Sequence, residues 1–378
     1  MYTVHPSIII GSYTWDQDRL PRDEFELRQA DLHRAMDQNR WQAMFLYGDA
    51  CEHSAIAYYT GFVPRVRWAL ALVPREGEPR LLVSMSSRDV PAMKLMTWIP
   101  DVLSGWQWES AFDTWLAGMK GDGVIDVGSV GFDIIQARLY QSVERSIGGR
   151  VRLVPARGFA SADRAMRPRE LSLVREACAV VQGAGRAMVQ AWRAGSGAEA
   201  AALDGERTAR SMAAQDVRTL VSPDRGRTLV PFGGEFHAKV DTLVAYIAVK
   251  VFGYWAELFV TDAQAPGELI SAARSGLDAV KSGLRPGATG AQLFAQGVRP
   301  LGSRALHPVL GASVGRRIGL SLNEGADLRE DSQRPLEAGS AYALHVGTRD
   351  DAGGALVSAM AVLTDKGVEI LCSSEDAL

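Results

Sequence analysis

Apolar residues dominate positions 241–261 (DTLVAYIAVKVFGYWAELFVT), and the pattern there breaks once. Leu243, Val244, Ile247, Val249 and Val251 form a run rich in β-branched side chains. Phe252-Gly253-Tyr254 punctuates it, and Trp255 to Thr261 resumes it. Two such runs on either side of a glycine predict two strands joined by a turn. Both are too apolar for a sheet with one wet face, so both are expected to be central strands. Tyr246, Lys250 and Glu257 interrupt them. A carboxylate in a central strand is costly unless paired or hydrogen-bonded, so Glu257 is expected either as a partnered structural charge or as part of a site.

The N-terminal part alternates shorter signals. Residues 22–40 place Phe25, Leu27, Leu32 and Met36 among many charges, the pattern of an amphipathic surface helix. Strands are predicted over 43–47, 55–60, 67–73 and 80–83, with the 74–79 segment as a turn between two prolines. Helices are predicted over 89–97, 111–119 and 136–147, and a further strand over 129–133. Alternating strands and helices predict a small α/β domain with a mixed sheet. The polar stretch around Pro168 precedes the longest helical pattern in the chain, 169–194, and proline suits the first position of a helix. The domain boundary is therefore expected near 160, giving domains 1–160 and 161–378. In the second domain, helices over 169–194 and 198–214 precede the strand pair of 241–261. Helices over 267–283 and 288–297 precede strands near 316–323, 341–346 and 355–363. The two passes read as an internal duplication in an α+β fold.

A chain of 378 residues exceeds one ordinary core, in agreement with two domains. Apolar content of 47% and charged content of 22% are ordinary for a globular protein, and a net charge of −3 gives no reason to expect nucleic acid or an anionic membrane as partner. Cys51, Cys178 and Cys372 have no CxxC spacing and read as free thiols, which points to a reducing, cytoplasmic setting. The first fifteen residues have no basic segment ahead of an apolar stretch, so no signal peptide is expected. No apolar run approaches the ~18 residues of a transmembrane helix.

Five stretches in order resemble the creatinase, prolidase, aminopeptidase P and methionine aminopeptidase superfamily. Tyr58-Tyr59-Thr60-Gly61-Phe62 resembles a motif of creatinase-type N-terminal domains, and Met166 to Leu171 resembles the Lys-Ser-x-Glu-Ile stretch at the start of the catalytic domain. The 241–261 strand pair follows, and then Gly315-Arg316-Arg317-Ile318-Gly319-Leu320-Ser321-Leu322-Asn323-Glu324 has the frame of Gly-His-Gly-Ile-Gly-Leu-x-x-His-Glu. Leu336-Glu337-Ala338-Gly339 and Leu344-His345-Val346-Gly347 keep the frame of Pro-Gly and Ile-Glu-Pro-Gly. The resemblance implies a small α/β N-terminal domain joined to a C-terminal pita-bread domain of two αββ halves. It also implies a site for two divalent metals held by two aspartates, a histidine and two glutamates. Matched residue by residue, those positions carry Tyr246, Glu257, Arg316, His345 and Ser358. Only one is a carboxylate, and Arg316 puts a fixed positive charge where a dication would sit. A metal pair, and the usual peptidase mechanism with it, is therefore not expected, and no cofactor is expected in its place.

Two readings remain for these positions. Either the polar cavity has been refilled by a self-satisfied network with Glu257 paired to Arg316, or it is a metal-free pocket with a new task. Creatinase, which hydrolyses a guanidino C–N bond with side chains alone, is a precedent for the second. Its two catalytic glutamates fall here on Phe259 and His345, so creatine is not the expected substrate. His237, in the connection before the strand pair, occupies the region from which creatinase takes its base, and imidazole with an unperturbed pKa of ~6.5 suits that role. The expected catalytic residues are His237, Glu257 and His345. Tyr246, Tyr254, Arg316, Asn323, Glu324 and Ser358 are the expected substrate-side residues. Arg65, Arg67 and Trp68 join them, because in creatinase-like dimers this segment reaches the other subunit's site and binds a substrate carboxylate. The expected protein is thus a homodimeric, metal-independent hydrolase, or a lyase using similar acid–base chemistry, acting on a small carboxylate-bearing molecule. The alternatives are a non-catalytic member of the fold that binds a peptide or partner, and a mononuclear metalloenzyme using Glu257 and His345.

Overall fold

The computed structural model describes residues 14–65, 67–119, 123–159, 164–231, 241–263, 267–325 and 327–378. The chain divides into two compact units, Met1–Arg164 and Ala165–Leu378.

The N-terminal unit is built on a six-stranded mixed sheet. Its strands are β1 (Ala43–Asp49), β2 (Trp68–Pro74), β3 (Arg80–Val83), β4 (Asp101–Ser104), β5 (Ile125–Val130) and β6 (Val151–Pro155), in the spatial order β4-β3-β2-β1-β5-β6. β1 pairs antiparallel with β2 and parallel with β5. Phe45, Leu70, Leu72, Leu82 and Val127 join the helix residues Phe112, Leu139 and Val143 in one core. The expected strand over 55–60 is instead the helix Ser54–Thr60. Its Ile, Tyr and Thr content imitates a strand, but the Thr60 hydroxyl donates to the Ile56 carbonyl and Gly61, at φ 71°, closes the helix in the left-handed conformation that glycine accepts freely. The strand expected over 129–133 ends at Val130. Gly131 at φ 76° turns the chain so close to Tyr47 that a Cβ would sit 2.4 Å from its carbonyl oxygen. The helix expected over 89–97 is one four-residue turn, Val90–Met93, between two 3₁₀ segments.

The C-terminal unit contains two antiparallel sheets. One is β7 (Asp216–Val221), β8 (Thr242–Val251) and β9 (Tyr254–Ala263); the other is β10 (Gly315–Arg317), β11 (Ser340–Arg349), β12 (Gly354–Thr364) and β13 (Gly367–Ser373). The two long hairpins, β8–β9 and β11–β12, correspond to the predicted duplication. They meet at β9 and β12, where the Thr261 hydroxyl donates to the Leu356 carbonyl and the Phe259 N–H donates to Ser358 Oγ at 2.7 Å. Helices Pro168–Arg193 and Ala198–Ser211 precede the first hairpin, and Glu268–Gly283 and Gly290–Val298 precede the second.

The helix faces of both hairpins follow from alternation. Gly185 in Pro168–Arg193 packs against Leu258 and Val260, and Gly276 in Glu268–Gly283 packs against Val346. Leu344, Val346, Val357 and Ala359 belong to the core beneath the second helix pair. Residues one step away on each strand therefore face the opposite side. That side carries Tyr246, Ala248 and Lys250 of β8, Trp255, Glu257 and Phe259 of β9, Arg316 of β10, His345 of β11 and Ser358 of β12. The strand expected over 316–323 stops at Arg317. Ile318 to Asn323 is irregular, with Ile318 N–H donating to the Ala341 carbonyl and Leu320 N–H to Glu324 Oε1.

Candidate functional site

Register places the polar residues of both sheets on one surface. Ala248 lies opposite Glu257 and Tyr246 opposite Phe259, so the Tyr246 phenol crosses diagonally to donate to Glu257 Oε2 at 2.7 Å. Arg316 donates through Nη2 to the same oxygen, and through Nε to the Leu322 carbonyl at 2.9 Å. Glu257 is 1% exposed and the Arg316 side chain 25%. Burial opposes the charge on Arg316, but the Glu257 carboxylate beside it outweighs that effect and the guanidinium pKa is raised. Burial, and then the Glu257 charge, holds the Tyr246 phenol well above its ordinary value, so it remains a donor.

His345 lies opposite Ser358 in the β11–β12 register and edge-on to the Phe259 ring, 6.0 Å between centroids. It is 1% exposed, and neither ring nitrogen has a hydrogen-bond partner among the described residues. Burial, reinforced by the Arg316 charge, pushes its pKa down to about 3, so the imidazole is neutral near pH 7. Glu257 Oε1 is likewise buried with no partner among the described residues. Buried polar atoms are normally satisfied, and these three atoms on one face are not, among the described residues. Ser358 is committed to the sheet junction through Phe259 N–H.

The remaining expected residues divide. Tyr254 faces the helix side, and its hydroxyl donates to Glu170 Oε1 at 3.0 Å. Glu170 also accepts from the Arg167 N–H at the start of the long helix, so this tyrosine secures helix to strand. Asn323 is exposed and caps a turn, its Oδ1 accepting from the Gly325 N–H at 2.7 Å. Glu324 holds the Leu320 N–H and lies 3.7 Å from Arg317 rather than meeting Arg316. Arg65 and Trp68 line a pocket of the N-terminal unit with Phe62, Val83 and Met93. The Arg67 guanidinium lies 5.9 Å from the centre of the Trp106 ring. His237 falls in 232–240, outside the described residues.

Sequence reasoning missed Arg218. It sits on β7 opposite Ala248, on the polar face, and its guanidinium stacks 4.7 Å from the centre of the Trp255 ring. The one available signal was a cation within a short β-branched run, Val217 to Val221.

No protein-family model matches the chain, and no curated protein sequence matches it. Solved structures do. The prolidase from Pyrococcus horikoshii aligns with a TM-score of 0.72 at 15% identity, covering 90% of this chain and 96% of that one. The X-Pro aminopeptidase from Thermotoga maritima aligns with a TM-score of 0.74 at 19% identity, covering 91% and 97%. A histidine-to-alanine variant of Escherichia coli aminopeptidase P gives 0.71 at 15%, covering 94% and 96%. At such identities the likeness is one of fold, and the chain has the pita-bread architecture with its α/β N-terminal domain.

The five residues matched to the family's metal positions do not supply its set of two aspartates, a histidine and two glutamates. Among the described residues no three His, Cys, Asp or Glu side chains are grouped to hold an ion. The one carboxylate of the five positions, Glu257, has one oxygen taken by a guanidinium and a phenol. A dication beside Glu257 would have to displace Arg316 or be repelled by it. Among the described residues no helix is long and apolar enough to cross a membrane.

Proposed function

We propose that this chain is a metal-independent hydrolase that cleaves a C–N bond, or performs related acid–base chemistry, on a small carboxylate-bearing molecule. The observation that carries the reading is the trio of buried atoms that are unmet among the described residues, Glu257 Oε1 and both nitrogens of His345, where Arg316 neutralises the Glu257 carboxylate. A site that had lapsed into packing would have satisfied or removed them, since each unmet group costs about 1–3 kcal/mol. In this reading Glu257 Oε1 accepts a hydrogen bond or proton from substrate or water. His345, neutral near pH 7, offers one N–H and one lone pair rather than a proton to give away. His237 supplies the base near neutrality, and Tyr246 and Arg316 hold Glu257 in place. The protein acts as a cytoplasmic homodimer with Arg65, Arg67 and Trp68 at the partner's site, and sedimentation showing only monomer at micromolar concentration would remove that part.

The test is turnover. Chelator-treated protein is incubated with N-acyl, N-carbamoyl and N-amidino amino acids and with Xaa-Pro dipeptides, following amine release. Turnover that persists after chelation and falls by ~10²-fold or more in Glu257→Gln, with folding intact, is the expected result. Activity restored only by added metal would overturn it. A second reading, a binding protein that has lost catalysis, is favoured by the closed Glu257–Arg316–Tyr246 network. No turnover in the screen, with Glu257→Gln lowering only the melting temperature, would select it.

A further inference from the structure

The faces turned away from the helices in both sheets carry cationic groups beside their carboxylates. Arg218 on β7, Lys250 on β8 and Arg316 on β10 share them with Asp216 and Glu257, and Asp327 lies across a bridge from Arg316. Lys250 lies opposite Asp216, and Arg316 is paired with Glu257. Arg218 is exposed and forms no ion pair among the described residues. One contact orients it. Ala248 stands between Arg218 and Glu257 in one row across the sheet, and its small side chain lets Arg218 cross to the Trp255 indole, 4.7 Å from its centre. Lys250 approaches the same ring at 4.7 Å. A guanidinium stacked on an aromatic ring uses its flat face for that contact, while its N–H donors, in the plane of the group, remain free.

We propose that Arg218 and Arg316, at the two ends of the Arg218–Ala248–Glu257 row, together form a binding site for a small carboxylate on this face. Arg218 enters from β7, and Arg316 enters from β10 of the second sheet, where it meets Glu257 of β9. The charges of both act on Tyr246. Arg316 uses Nε and one Nη donor internally and retains others at a side chain 25% exposed. A carboxylate bridging the two guanidinium groups would give Arg218 the counter-charge it lacks among the described residues and accept fork-like hydrogen bonds from it. The inference names the substrate's anchor within the hydrolase reading and rests on it for that role, but the binding step stands alone.

Isothermal titration separates the two. Wild-type protein, Arg218→Gln and Arg218→Lys are titrated with succinate, and with succinamide as the uncharged probe. Saturable succinate binding by wild type, about ten-fold or more weaker in Arg218→Gln and only partly restored by Arg218→Lys, is expected. Binding should also weaken as salt is raised, because Arg218 is exposed. The Arg218 side chain makes no hydrogen bond among the described residues, so the variants should keep the wild-type melting temperature. Equal binding of succinamide, unchanged affinity in Arg218→Gln, or no saturable binding by wild type would overturn the proposal. Turnover that depends on Glu257 while succinate binding ignores Arg218 leaves the hydrolase reading and ends this one; Arg218-dependent binding without turnover does the reverse.

Discussion

Glu257 is a carboxylate held by two donors on one oxygen and none on the other, among the described residues. Its substitution should therefore report on both stability and chemistry. Glu257→Gln leaves Arg316 without its counter-charge, a change worth about 3–5 kcal/mol for a fully buried pair and less here because Arg316 is a quarter exposed. Adding Arg316→Met to Glu257→Gln should recover part of the loss in urea unfolding; a double variant no better than the single one would mean that the pair is not the source. His345 predicts the pH dependence. Its folded pKa of about 3 lies below the unfolded value, so the unfolded chain binds the extra proton. The stability contributed by neutral His345 is complete above about pH 6.5 and is lost as pH falls from there toward 3, at up to about 1.4 kcal/mol per pH unit. His345→Gln should flatten that part of the stability–pH curve, and a curve parallel to wild type would show that His345 is not buried neutral. The thiols give a simpler measurement. Cys51 is exposed while Cys178 and Cys372 are buried, and burial raises the Cys178 thiol pKa. A thiol reagent should modify one cysteine in the native protein and all three in denaturant.

At the scale of elements, the start of the helix Pro168–Arg193 shows how a strand and a helix share one carboxylate. Glu170 accepts from the Arg167 N–H and from the Tyr254 hydroxyl while fully buried. Tyr254→Phe removes one donor and should cost about 1–3 kcal/mol, measured by denaturant unfolding, with substrate affinity unchanged. A loss of affinity instead would return Tyr254 to the site. This is also where sequence and structure part. The paired strands of 241–261 and the long helix after Pro168 were legible because their periodicity is strong and their punctuation is unambiguous. The helix Ser54–Thr60 was not, because Ile, Tyr and Thr favour strands locally and only packing overrides that preference. β7 was not read at all, and Arg218 was missed with it.

The whole molecule consists of two units, each with its own core. In Ala165–Leu378 the cluster of Leu277, Val280, Leu293, Val314, Leu344 and Val357 is complete within the unit. Residues 165–378 expressed alone should therefore fold, with a cooperative denaturant transition and a near-UV CD spectrum; a molten product would show that the unit depends on the N-terminal domain. Tyr246, Glu257, Arg316, His345 and Ser358, which the family resemblance singled out, lie on one face. Tyr254, Asn323 and Glu324, equally close in sequence, turn to other tasks.

What the sequence determined by itself was local: which runs extend, which coil, and that one carboxylate interrupts a central strand. Those outcomes depend on side-chain periodicity and glycine punctuation, which are properties of neighbours in the chain. Tertiary structure alone decided which oxygen of Glu257 is occupied, that His345 is buried neutral with no partner among the described residues, and that Arg218 crosses Ala248 to lie over Trp255. Each of these joins residues from different strands, and the registers that bring them together are fixed only when the sheets close and bury their apolar faces beneath the helices.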